Sequence, residues 1–272
     1  MNGSSTDTRQ TALWSAVIVV LVAIAGGLYF WLARAPEEAA PVSEPSAPAP
    51  AAPAEPQIRH PIEKARPEPA ERPKPLPPLA ESDGAVHEAA SGLIGKDVFE
   101  KYFYPKEIVR RFIVTIDNLP RKKLPQRYGL AKPVEGKFLA AGKSGNMTIA
   151  PNNYRRYAPY VRLADAVDTK RLVALYVYFY PLLQEEYQNL GQPNRYFNDR
   201  VVEVIDDLLA APEPKGPILL AQPKVMYEFA DPALEELSAG QKIMIRMGPE
   251  NAARIKAKLK EIREALVSGA GN

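Results

Sequence analysis

The sequence predicts a mainly α protein: a helical, bundle-like head with minor antiparallel β hairpins, preceded by a single transmembrane helix and a Pro/Ala-rich linker. Three observations carry that expectation. No charged residue lies between Gln10 and Ala33, half of the chain's 28 prolines fall within residues 35–80, and beyond residue 80 apolar side chains recur every three or four positions. The expected boundaries are a short N-terminal tail (1–11), a transmembrane anchor (12–33), a disordered linker (34–80) and a mostly helical globular domain (81–272).

As a helix, residues 12–33 would extend roughly 33 Å at about 1.5 Å per residue, against about 30 Å of bilayer hydrocarbon. Trp14 near one end, and Tyr29 and Trp31 near the other, suit the membrane interface. A cleaved signal peptide competes, since Ala33-Arg34-Ala35 mimics a small-x-small site. Its apolar region is typically only about 7–15 residues, however, and an arginine occupies the middle of that triplet. A retained single-pass signal anchor is therefore expected. Arg9 and the amino terminus lie on one side, and Arg34 followed by Glu37 and Glu38 on the other. That asymmetry leans the body to the non-cytoplasmic side.

Within 34–80, Pro41 to Pro56 is nearly all Ala, Pro, Ser and Glu, while Pro61 to Pro78 mixes Pro with Glu, Lys and Arg. Proline removes backbone donors, and few large apolar groups offset the entropy of ordering. The stretch reads as a spacer reaching roughly 40 Å as coil and 140 Å as polyproline II. Pro75-Leu76-Pro77-Pro78 would also suit an SH3-type ligand, but no cytosolic context supports that.

The head starts with helices over Gly84–Ile94 and Asp97–Tyr102, separated by Gly95. Pro105 suits a first helical position, with Ile108, Phe112 and Ile116 following at a spacing of four until Pro120. Lys137–Ala141 and Asn146–Ala150 flank a Gly142–Gly145 turn as a first hairpin. Asn152 or Asn153 would cap Tyr154–Val167, and Asp168 a helix ending at Leu190, kinked by Pro181. In that helix Leu172, Leu175, Phe179, Leu183 and Leu190 share one broad face. Phe197, Val201, Ile205 and Leu208 stripe the Asn194–Leu209 helix. Ile218, Leu220, Val225, Tyr227 and Phe229 alternate as a second hairpin. Asp231-Pro232 caps a turn, Ser238 with Gln241 forms a capping box, and Gly248-Pro249 precedes a last helix bearing Ile255, Leu259, Ile262 and Leu266.

Composition narrows the chemistry. With 35 basic and 32 acidic residues the net charge of +3 calls for no nucleic-acid partner. The absence of cysteine removes thiol catalysis, disulfides and Cys-containing zinc sites, and two histidines, His60 and His87, make a multi-histidine metal cage untenable. No phosphate-loop pattern occurs, so neither a metal nor a cofactor is expected.

Two clusters are candidates for function. Asp199, Glu203, Asp206 and Asp207 place carboxylates on neighbouring turns of one helix, as a glycosidase pair would need, but opposite the apolar stripe, where a solvated face with partners such as Arg200 is the simpler reading. Tyrosines Tyr154, Tyr157, Tyr160 and Tyr196, with Arg155 and Arg195 close in sequence, make a candidate ligand groove for a glycan or peptide; packing between helices, hydroxyls at the rim, is the competing explanation. The basic residues Arg254, Lys256, Lys258, Lys260 and Arg263 of the last helix, interleaved with Glu250, Glu261 and Glu264, read as a solvated face.

The run from NYRRYAPYVRLADAV through NRYFNDRVVEVIDDLL, followed by PKVMYEFADPALEELSAGQKIMIRMGPENAARIKAKLKEIR, resembles an uncharacterised bacterial family, domain of unknown function number 3014. The resemblance covers most of residues 95–266, is most specific in NRYFNDR and LSAGQKIMIRMGP, and implies a bacterial envelope protein with no activity or site to carry over. Together these readings lead us to expect a non-enzymatic binding or scaffold protein. It would lie in the bacterial inner membrane, single-pass, with its C-terminal domain in the periplasm, meeting an envelope protein or glycan. The alternative is a glycan hydrolase using the acidic residues of 194–209.

Overall fold

Asp168 starts the longest helix of the head. In the computed structural model its carboxylate accepts the Arg171 N–H at 2.8 Å, and the helix runs Thr169–Asn189, continuing through Pro181 on an exposed position. The structure describes residues 58–65, 75–143 and 145–268, all within one compact unit, residues 53–272. The helices are α1 (Ser82–Ile94), α2 (Lys96–Tyr102), α3 (Ile108–Asn118), α4 (Pro151–Arg155), α5 (Ala158–Ala166), α6 (Thr169–Asn189), α7 (Phe197–Leu209), α8 (Pro232–Glu235), α9 (Ala239–Arg246) and α10 (Pro249–Ser268).

Local chemistry explains most boundaries, and corrects two. The helix expected from Pro105 begins instead at Ile108. Glu107 takes a left-handed φ of 53°, and both its N–H and that of Ile108 are accepted by Asp83 of α1, at 2.7 and 2.8 Å. A side chain from another helix thus supplies the cap, which no local pattern reveals. Neither Asn152 nor Asn153 caps the next segment. Pro151 takes the first helical position, and Asn153 is fully buried, accepting the Leu139 N–H and donating to the Arg246 carbonyl. Asp231 and Ser238 do cap α8 and α9, accepting from the Ala233 and Gln241 N–H groups.

Both hairpins form, β1 (Ala140–Ala141) with β2 (Met147–Ile149), and β3 (Leu219–Ala221) with β4 (Glu228–Phe229). They are not separate. β2 pairs antiparallel with β3, Met147 opposite Leu220, giving one four-stranded sheet in chain order. Ile149, Leu220 and Phe229 pack its inner side against Ile245 of α9. Alternation predicts a hairpin but carries no signal for pairing across seventy residues.

The principal core lies among α3, α6, α7 and α10, where Ile113, Val173, Tyr187, Phe197 and Leu266 are almost wholly buried. Gly248, at φ 89°, ends α9 where a Cβ would stand 2.5 Å from the Tyr154 ring, so only glycine permits that approach. Ser238, Gly240 and Gln241 of the LSAGQKIMIRMGP run fix α9 against α7 and α3. Ser238 Oγ donates to Asp207 at 2.7 Å, Gln241 donates to the Asp207 carbonyl, and the Gly240 N–H donates to the Leu119 carbonyl.

Part of the segment assigned to the spacer belongs to the head. Ile62–Ala65 forms a 3₁₀ turn whose Ile62 and Ala65 side chains are buried in the principal core against α6 and α10. Leu79–Glu81 forms another at the start of α1. Two apolar residues among prolines and charges looked insufficient to order the chain. They suffice because the NRYFNDR run holds the backbone around them, as described below.

The fold class is corrected on one point. The head is mainly helical with one small antiparallel sheet, but among the described residues no helix is long and apolar enough to cross a membrane. The single-pass transmembrane signal anchor expected at 12–33 lies outside the described residues, and the described structure gives membrane anchorage no support.

Candidate functional site

The acidic side of α7 consists of occupied carboxylates. Asp199 accepts two successive backbone N–H groups, Arg59 at 3.0 Å and His60 at 2.7 Å. Glu203 pairs with Arg200, whose guanidinium also reaches Asp117 at 3.0 Å. Asp206 receives Arg263 of α10 through two nitrogens, and Asp207 takes the Ser238 hydroxyl. The expected face with its Arg200 partner is present, Glu203 and Asp206 being exposed, and it also ties α7 to its neighbours. The last helix behaves alike: Lys256 donates to the Ala211 carbonyl, and Lys258 to the Val167 carbonyl and Thr169 Oγ1 while pairing with Glu261. Among the described residues no three His, Asp or Glu side chains cluster as a metal would require.

The six candidate groove residues fall in different surroundings. Tyr154 packs with the sheet cluster and Tyr157 with the cluster around Met244 and Ala252. Tyr160 donates to the Lys132 carbonyl at 3.1 Å and meets the Tyr102 ring edge-on, and exposed Arg155 borders a small surface pocket beside it. Tyr196 packs on the principal core, its hydroxyl accepting the Ile62 N–H at 2.8 Å, while Arg195 is exposed and gives its carbonyl to Gln184. Burial raises the phenols of Tyr154, Tyr157, Tyr160 and Tyr196 above their ordinary value, so all four stay neutral.

Asn198, marked in the sequence only as part of the NRYFNDR run, links these groups. It is fully buried; its amide nitrogen donates to the His60 carbonyl at 2.9 Å, its Oδ1 accepts from Tyr176, and its backbone N–H donates to Tyr180. With Tyr196 and Asp199 it reads the backbone of residues 59–62 rather than their side chains. Such a network is stable in the interior only because each member is partnered. Burial pushes the Tyr176 and Tyr180 phenols well up, keeping them neutral.

A further opening in the head lies on another side of α6. A cavity of about 380 Å³ is bounded by α1, α2, α3, α5, α6 and α10, with Leu93, Phe99, Phe112, Leu163, Leu175 and Phe179 among its walls. That volume lies within the range of small-molecule sites, roughly 300–1,000 Å³. Its polar atoms are already engaged. The Tyr160 hydroxyl faces the Lys132 carbonyl, the Tyr176 hydroxyl faces Asn198, and Lys258 has three acceptors for its three donors. What remains for a guest is hydrocarbon. Sequence reasoning placed Leu172, Leu175, Phe179 and Leu183 on one inward face but missed the space before them, because periodicity reports direction and not volume.

Fold and cavity define a mainly helical head with a small sheet on one side and an apolar chamber among its helices. Residues 108–263, more than half of the chain, match the family described as protein of unknown function (DUF3014), and the chain belongs to that family. The α1 and α2 walls of the chamber precede the matched residues. No curated protein and no solved structure matches the chain.

Proposed function

We propose that this chain is a non-enzymatic binding protein whose helical head receives an apolar ligand between α1, α3, α5 and α6. The observation that carries the proposal is the chamber of about 380 Å³, walled chiefly by aliphatic and aromatic groups, with the hydroxyls of Tyr160 and Tyr176 and the ammonium of Lys258 already bonded elsewhere. Transfer of apolar surface from water, at roughly 25 cal/mol per Å², is then the driving force. The glycan-hydrolase alternative is disfavoured: Asp199 and Asp206 each accept two hydrogen bonds from other parts of the head, and Glu203 is held by Arg200.

Titration of the full-length protein with Nile red tests the proposal. Leu175→Trp, which places an indole in the chamber, should remove one saturable class of dye site while the thermal midpoint stays close to that of the parent. Dye binding unchanged in a folded Leu175→Trp protein would refute a ligand site in the chamber.

A further inference from the structure

The chamber is bordered on one side by a second pocket. Leu93 of α1 and Leu175 of α6 belong both to its wall and to a shallower outer pocket, which adds Ala89, Ala174, Tyr178 and Arg171. Of the described residues lining that outer pocket, Arg171 alone carries a charge. It lies in the first turn of α6 and is exposed; its guanidinium donates one long bond, 3.3 Å, to the Gly92 carbonyl. A guanidinium offers five N–H donors in a planar fork, so a single long bond leaves most of that capacity for a ligand at the outer pocket. The nearest acid in sequence, Asp168, has its carboxylate on the Arg171 backbone N–H as the helix cap.

Resting on the binding reading above, we propose that the ligand is a single-chain amphiphile with an anionic headgroup. Its hydrocarbon chain lies in the chamber, and its carboxylate or phosphate meets Arg171 at the outer pocket, beside Leu93 and Leu175. The inner wall has nothing to offer a second polar group, and the outer wall offers one cation. That combination discriminates against bolaform or multiply polar guests, whose buried end would lose its water without a partner. It also discriminates against cationic amphiphiles, which would meet Arg171 with like charge. A bidentate, charge-assisted pairing at the outer pocket is expected to contribute about tenfold in affinity over a neutral headgroup on the same chain.

The test is photolabelling of the full-length protein with a diazirine-bearing dodecanoic acid, the adducts being mapped by mass spectrometry of proteolytic peptides. Adducts are expected on peptides carrying Leu93, Leu163, Leu175 and Phe179. Dodecanoate or dodecyl phosphate should compete at about one-tenth the concentration of dodecanol, and the better of the two identifies the headgroup. In Arg171→Glu the anions should lose that advantage while dodecanol competes as before; Arg171→Lys should restore part of it. Labelling of the chamber with anions and dodecanol equivalent, or with both unaffected by Arg171→Glu, overturns the headgroup assignment and leaves the apolar site standing. Absence of adducts on those peptides overturns the binding reading itself.

Discussion

Helix α6 turns two adjacent stripes inward, and the protein fills only one of them. Val173, Val177 and Tyr180 meet Ile62 and Ala65, which enter the core from far away in the sequence, together with Val201 and Ile205 of α7. About 130° around the helix, Leu172, Leu175 and Phe179 face the chamber. Both stripes are equally apolar by sequence. The difference is what lies opposite. On the filled side an imported segment completes the packing, held by polar groups that read its backbone. On the hollow side α1 and α2 arch over the leucines without closing on them. An inward stripe thus predicts burial in either case, and predicts a full core only where some part of the chain is free to complete it.

The largest expected effect breaks the filled side. Phe197 is fully buried between Phe112 and Tyr187, and Phe197→Ala should cost about 3–5 kcal/mol in urea unfolding. A loss under 1 kcal/mol would mean that this side, too, has room to spare. A smaller cost comes from its polar latch. Asp199→Ala leaves the Arg59 and His60 N–H groups without their acceptor, a loss of about 1–3 kcal/mol, and should quicken tryptic cleavage after Arg59. Unchanged cleavage would show that Ile62 and Ala65 hold the segment without help.

The smallest effect concerns Glu186, buried at the rim of the filled side with Arg110 3.8 Å away. Burial raises its carboxyl above the ordinary value against the lowering pull of Arg110. Because the folded state takes up this proton more readily than the unfolded chain, the cost of the buried charge is complete at neutral pH and relieved as pH falls through the raised pKa. Glu186→Gln should therefore stabilise by up to about 1 kcal/mol at pH 7, with the advantage shrinking on acidification. Denaturation curves from pH 7 down to 4.5 would check both the sign and the trend, and a variant less stable than the parent at pH 7 would reverse the assignment.

Much of this fold was legible because its signals are local. Asp168, Asp231 and Ser238 cap helices whose N–H groups lie two or three residues away, and Gly248-Pro249 divides α9 from α10 as a left-handed residue followed by a helix-starting proline must. What escaped was non-local. Asp83 caps a helix twenty-five residues downstream, β2 pairs with β3 across some seventy residues, and Ile62 finds its pocket across more than a hundred. The acidic side of α7 is legible as opposite the stripe of Phe197 and Val201 and as partnered by Arg200, and Glu203 and Asp206 are exposed there, but the ties of Asp199 and Asp207 are not legible. Asp207 takes the Ser238 hydroxyl and Asp199 the Arg59 and His60 backbone, contacts that depend on which surfaces α7 meets. The candidate ligand residues share the same limit. Proximity in sequence grouped Tyr154 with Tyr196, whereas the fold sends them to separate apolar clusters.

The contrast between the two stripes is tested most directly by placing the same large ring on each. Thermal and urea melts of Val177→Trp and Leu175→Trp, measured side by side on the full-length protein, should separate widely. Val177 is 8% exposed and belongs to the buried cluster that includes Ile62 and Ala65, so overpacking there should cost about 1–3 kcal/mol. Leu175 faces about 380 Å³ of open chamber, so the indole should be accommodated within about 1 kcal/mol of the parent or add stability. Equal losses at the two positions would mean that no usable space lies beside Leu175, and the chamber, with the ligand assigned to it, would have to be abandoned.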